Sequence, residues 1–167
     1  IEPGGANKDF GDEWDMKVSY AAGPLSASFN VDEAGTLTET GRFKDDNSDA
    51  WQVVYREPYL FSAEGTQGMR VYRIAEGGVT AVANVPITGS SKDIVLQNDV
   101  AYVAASSHVA AIDIRLPEKP ELISEVKTAG TAVALAVGYN HTLLVAEWDK
   151  LVGYDTSNPY ALKREFS

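Results

Sequence analysis

From residue 18 onward the chain alternates short apolar runs with polar turns. The runs are rich in Val, Ala, Tyr, Ile and Thr, the composition of half-buried strands. Turn signals punctuate them: "EAG" at 33–35, "EGG" at 76–78, "QND" at 97–99, "GYNH" at 138–141 and "SNP" at 157–159. No stretch longer than ten residues keeps an apolar period of 3.6; "EWDMKVSY" at 13–20 is the one passable helical fragment. The pattern predicts strands at 51–56, 58–63, 69–74 and 79–85. It predicts four more at 93–97, 100–105, 109–114 and 121–127, and a last four at 132–138, 142–147, 151–155 and 161–166.

These three sets of four repeat one another. Tyr72, Ile112 and Tyr154 hold matching places in the third run of each set, 40 and 42 residues apart, and Phe29 fits an earlier copy 43 residues upstream. Four short runs at such a period predict an all-β fold, a β-propeller built from four-stranded antiparallel blades. A sheet this short does not bury both faces alone, and stacking it against neighbours does. About four units are expected, at 18–48, 49–90, 91–130 and 131–167, behind a polar, acidic, Gly-rich arm at 1–17.

The stretch "VAYVAASSHVAAIDIRLPEKPELISEV" resembles the LVIVD-repeat family of bacterial and archaeal surface proteins. Ala101, Tyr102 and Val103 match that family's AYV-type strand, and Ile112, Asp113 and Ile114 its second strand. Pro117, Pro120 and Leu122 match its proline-bracketed corner and the strand that follows. The copy ending at 167 keeps Leu151, Tyr154, Asp155, Pro159 and Leu162, whereas the copy from Trp51 has Arg73 in place of the aspartate and lacks the prolines. The resemblance implies blades and an exported location, extracellular, at the cell surface or periplasmic. It implies no activity, because the family is defined by its blades.

Four units raise the question of how a ring closes. The chain would be a segment of a longer polypeptide, would complete its ring with another chain, or would form a small four-bladed ring. It opens on Ile1 and not Met, so a preceding segment is expected.

Composition narrows the function classes. With 44% apolar and 23% charged residues the chain is of globular type. A net charge of −10 repels phosphate backbones, so no nucleic-acid partner is expected. No apolar run reaches the roughly 20 residues of a membrane helix, and no membrane insertion is expected. The absence of cysteine removes disulfides and thiolate metal sites.

Candidate chemistry is sparse. Asp45, Asn47 and Asp49 alternate like the opening of a calcium loop, which makes them a candidate Ca²⁺ site. The EF-hand pattern then fails at Ala50 and Arg56, and the other reading is a solvated inter-blade loop. His108 and His141 fall in different turns and make a poor metal set. Asp113 and Asp155 recur at one blade position, as repeated ligands or as caps that accept backbone N–H bonds from the next turn. Trp14, among the carboxylates of the arm, and Trp148, in a turn of the last unit, are candidate partner contacts, and Trp148 would alternatively be buried between blades. No nucleophile elbow, phosphate-binding glycine loop or H-E-x-x-H motif occurs, so no catalytic residue and no further cofactor are assigned. The expected role is a non-catalytic binding scaffold that presents loops to a protein or cell-envelope partner, or to the remainder of its ring. The alternatives are a propeller enzyme with a site at the axial mouth, such as a metal-assisted hydrolase or oxidoreductase subunit, and a structural subunit of an extracellular assembly.

Overall fold

Twelve strands and no helix make up the described part of the chain. The computed structural model describes residues 25–31, 37–44, 49–76 and 78–166. The arm at 1–17 and the fragment "EWDMKVSY" lie outside them.

The leading sheet is a two-stranded antiparallel pair, β1 (Leu25–Val31) and β2 (Leu37–Lys44). The front sheet follows in simple order: β3 (Gln52–Arg56), β4 (Tyr59–Ala63), β5 (Met69–Ala75) and β6 (Gly78–Val85), each antiparallel to the one before. Next come β7 (Asp93–Gln97), β8 (Val100–Asp113), β9 (Glu121–Val137), β10 (Thr142–Glu147), β11 (Lys150–Asp155) and β12 (Lys163–Phe166), hydrogen-bonded as neighbours throughout.

Two of these strands are double units. A straight strand as long as β8 would part its ends by roughly 45 Å. Yet the N–H of Ile114, just past its end, donates to the carbonyl of Asp99, just before its start, at 2.9 Å. β8 is therefore a hairpin. It folds back at Ser106, whose φ of 54° is the left-handed conformation a tight turn requires. Two expected strands are fused because the turn is too short to interrupt the ladder. β9 is fused differently. Its first part pairs with the second half of β8, from Asp113↔Glu121 to His108↔Lys127, and its second part pairs with β10. Between them the register jumps from Lys127 to Ala132, where the chain leaves one sheet and enters the next. The result is a middle sheet (β7, both halves of β8, early β9) and a rear sheet (late β9, β10, β11, β12), each with four segments.

The middle sheet is packed on both faces. Ala101, Val103, Ala110 and Ile112 join Phe61, Ala63, Met69 and Val71 of the front sheet in one buried cluster. Their alternating neighbours Tyr102, Ala104, Val109 and Ala111 join Leu143, Val145, Val152 and Tyr154 of the rear sheet in a second. The two-residue period of a strand thus becomes two seams. Burial of this apolar surface, at about 25 cal/mol per Å², is the main force holding the stack together.

The first strands of successive sheets also pack together, β3 on β7 and β7 on β9. One polar clamp joins them. Asp93 accepts the N–H of Ile94 through Oδ1 at 2.8 Å and that of Leu135, on the rear sheet, through Oδ2 at 2.6 Å. Burial pushes the Asp93 carboxyl above the ordinary carboxylate range, and the two N–H donors partly offset the rise.

Candidate interaction face

One edge of the stack gathers turns and inter-sheet connections from three sheets. Trp51 N–H donates to Ala63 O, Lys92 N–H to Ala104 O and Trp148 N–H to Thr131 O. Each bond sets the start of a first strand beside the end of the second strand in the same sheet. The β4–β5 turn, the β8 turn, the β10–β11 turn and the inter-sheet connections at 86–92 and 128–131 therefore share one edge.

These loops are stitched together. Gly65 and Ser91 exchange two backbone hydrogen bonds of 3.0 and 2.7 Å, joining the β4–β5 turn to the connection that follows the front sheet. Ser106 Oγ donates to Ser90 O at 3.1 Å, and Thr128 Oγ1 lies 3.3 Å from Ser106 O and 2.7 Å from Gly130 O. Gly130 N–H donates to Glu147 Oε2 at 2.8 Å. Gly89 packs so tightly on the Ala105 carbonyl that a β-carbon has no room, and its φ of 106° suits glycine alone. The belt spans three sheets and gives these loops a fixed shape.

Two carboxylates are buried under it. Glu64 directly follows the second strand of the front sheet and Glu147 ends that of the rear sheet, each after an alanine, and both are almost inaccessible to solvent. Glu64 Oε1 accepts the Tyr72 hydroxyl at 2.6 Å, and Oε2 lies 3.6 Å from Arg70 Nη1. Glu147 Oε2 takes the Gly130 N–H and lies 3.5 Å from Lys150 Nζ, while Oε1 has no hydrogen-bond partner among the described residues. Nearby cations and donors offset the cost of taking such carboxylates out of water. The recurrence of "AE" at 63–64 and 146–147 was the available sequence signal. Its burial was not readable, because glutamate after a strand ordinarily reads as a solvated turn.

Apolar groups stand out on the same edge. Trp148 is 83% exposed, so of its two readings the structure has the exposed one. Trp51 is 47% exposed, and Lys92 Nζ sits 3.3 Å from the centre of its ring, a cation–π contact. Asp49 lies on this edge too, its carboxylate against Gly65. Asp45, Asn47 and Trp14 lie outside the described residues. Among the described residues no group of three His, Asp or Glu side chains is placed to hold a metal. His108 is partly buried, with Nδ1 2.9 Å from Ser107 Oγ. His141 is exposed beside the β9–β10 turn at the opposite edge, and its carbonyl accepts the Thr156 N–H. The structure does not bring the histidines together.

Asp113 and Asp155 act as caps. Oδ1 of Asp113 accepts the N–H of Arg115 at 2.9 Å, and Oδ1 of Asp155 accepts that of Ser157 at 2.8 Å. The Arg115 side chain also donates to Asp113, from Nε to Oδ2 at 2.8 Å. These contacts hold both carboxyls below the ordinary range: at Asp113 chiefly the Arg115 side chain, at Asp155 chiefly the Ser157 N–H. Near Asp113, by the β8–β9 turn, an open cleft of about 410 Å³ is lined by Tyr59, Arg73, Leu116, Pro117, Glu118 and Lys119. Its Glu118 is already engaged, 3.0 Å from the Tyr59 hydroxyl and 3.7 Å from Arg73 Nη1.

Known structures carry the same arrangement of sheets. A crystal structure of a protein from Lactobacillus plantarum superposes with a TM-score of 0.71 at 16% identity, over 85% of this chain and 50% of that one. A putative 6-phosphogluconolactonase from Bacteroides fragilis NCTC 9343 superposes with a TM-score of 0.72, also at 16% identity, over 84% of this chain and 47% of that one. The sheets are propeller blades. At this identity the likeness shows the fold alone, and the chain spans about half the length of the solved structures it matches. No family model matches the chain, and no curated protein matches it at a significant level.

Proposed function

We propose that this chain is a propeller scaffold of an exported or surface protein, and that its stitched loop edge binds a protein or cell-envelope partner. The observation that carries this reading is the pairing of rigid loops with exposed aromatics. Five connections are locked to one another by backbone and side-chain hydrogen bonds, so a partner meets a surface whose shape is already formed and little ordering cost falls on binding. Trp148 and Trp51 protrude from that surface, and exposed tryptophan is the residue type most enriched at binding hot spots. The resemblance of the middle unit to the LVIVD repeat supports the exported location. Buried Glu147 supports the loops from below by accepting the Gly130 N–H.

The test is site-specific photocrosslinking in cells of the source organism. Trp148→p-benzoylphenylalanine should give one dominant adduct, whereas the same substitution at Leu116, at the opposite edge, should not. Equal labelling from both positions, or none from Trp148, would remove the proposal.

A second reading has one observation in its favour: the likeness to a putative 6-phosphogluconolactonase. On this reading the chain is part of a propeller hydrolase. Turnover of 6-phosphogluconolactone by the purified chain, lost in Glu147→Gln while the fold is retained, would favour it over the scaffold.

A further inference from the structure

Two of the turns at the edge opposite the stitched loops are built alike. Each joins the first and second strands of a sheet through an asparagine in the left-handed region: Asn98, with φ 52°, between β7 and β8, and Asn140, with φ 57°, between β9 and β10. Asn140 and His141, whose φ is 62°, are the central pair of a two-residue turn, closed by the Thr142 N–H donating to Tyr139 O at 3.3 Å. Positive φ at both central residues favours asparagine in the first of them. Turn geometry thus accounts for the asparagine. It does not account for the residue two places on. Asn98 is followed by Asp99 and Val100, whereas Asn140 is followed by His141 and Thr142.

Asn-His-Thr is the acceptor pattern of N-linked glycosylation: an asparagine two residues before a hydroxyl, with no proline between, and no other asparagine of the sequence meets it. Such a pattern serves as an acceptor where it is accessible, and here the structure makes it so. Asn140 and His141 are both exposed, and the Asn140 amide makes no hydrogen bond among the described residues. The Thr142 hydroxyl is held only by a 3.4 Å contact to Glu165 Oε2. Tyr139, next to the acceptor, is 94% exposed, a bare ring that the apolar face of a first sugar can cover. We propose that Asn140 is an N-glycosylation site, an inference that rests on the exported location proposed above. The donor is a glycan carried on a lipid diphosphate. The Asn140 Nδ2–C1 bond forms as the bond from C1 to the diphosphate oxygen breaks. The lipid diphosphate departs with the electron pair, and Nδ2 gives one proton to a base of the transferase. A glycan at this turn lies at the edge opposite Trp148, so it leaves the loop edge and both buried seams clear.

The experiment is mass spectrometry of the protein recovered from fractionated cells of the source organism. The peptide containing Asn140 should be heavier by a glycan, and fragmentation should place the added mass on Asn140. Asn98, exposed in the sister turn without the hydroxyl, should stay bare in the same sample. Thr142→Ala should lower occupancy of Asn140 by about tenfold or more with an unchanged far-ultraviolet dichroism spectrum, and Thr142→Ser should keep it. A bare Asn140 in protein recovered outside the cytoplasm overturns this inference and leaves the exported reading standing. Protein found only in the cytoplasm, with Asn140 bare, removes both. A glycan on Asn140 that survives Thr142→Ala also overturns the proposal, because the hydroxyl then plays no part in choosing the site.

Discussion

The middle and rear sheets are copies of one repeat, yet they live in different surroundings. In the middle sheet the strand "AYVAA", Ala101 to Ala105, is buried at every residue. At the same place in the rear sheet, "LLVAE", Leu143 to Glu147, is buried only at alternate residues. The second strand is no less apolar than the first. The difference comes from neighbours: the middle sheet has one on each side, and the rear sheet has one on a single side among the described residues. Burial in a stacked fold belongs to the seam and not to the strand.

This contrast can be broken or sharpened by measurement, and the largest effect is expected in the middle sheet. Ile112→Ala removes a fully buried side chain from the seam with the front sheet and should cost about 2–5 kcal/mol in urea denaturation. Leu151→Ala, at a half-exposed side chain, should change stability by no more than about 0.5 kcal/mol. Similar losses at the two sites would end the comparison.

Asp93→Ala should come next. It leaves the Leu135 N–H without its acceptor at the seam between the two sheets, a loss of about 1–3 kcal/mol. A loss of that size concentrated in the rear sheet, seen as faster amide exchange in β10 and β11 than in the front sheet, would show that the clamp serves the seam. Uniform exchange would assign it to the middle sheet alone.

Trp148→Ala should leave stability within about 0.5 kcal/mol of the unaltered chain, because the ring is mostly in solvent. A clear drop in the denaturation midpoint would mean that the ring packs on the loop edge and is not free to contact a partner.

The smallest effects are proton-linked. Burial raises the Asp93 pKa, so the folded chain binds that proton more tightly than the unfolded one. The stabilisation it provides is full below the unfolded-chain pKa and is lost as pH rises through the raised folded value. Asp113 and Asp155 behave in the opposite sense. Their contributions are present above the ordinary carboxylate range and are lost as pH falls through the lowered values. A carbon-detected NMR titration should place the Asp93 midpoint above the ordinary value and the other two below it, and the reverse order would remove the burial argument.

Much of the fold was legible along the chain. The runs at 93–97 and 142–147 are β7 and β10, and the turn at Asn98–Asp99 is where the turn chemistry predicts it. The fusions within β8 and β9 were not foreseen, because a two-residue turn at Ser106 and a change of sheet near Lys127 leave little mark in an apolar pattern. The candidate site was less readable. Asp49 and Trp148 share an edge, but nothing in their spacing says so, since 99 residues separate them and their proximity to one edge comes from strand direction in different blades.

Local chemistry accounts for what repeats: strand length, turn position, and the aspartates that accept N–H bonds two residues on. These depend on contacts within a few residues, which any copy of the segment can make. Packing of distant segments accounts for the rest. It buries Glu64 and Glu147 under the loops, turns Trp148 outward and leaves Leu151 uncovered, because each of these depends on which sheet lies alongside, and a strand carries no record of its neighbour.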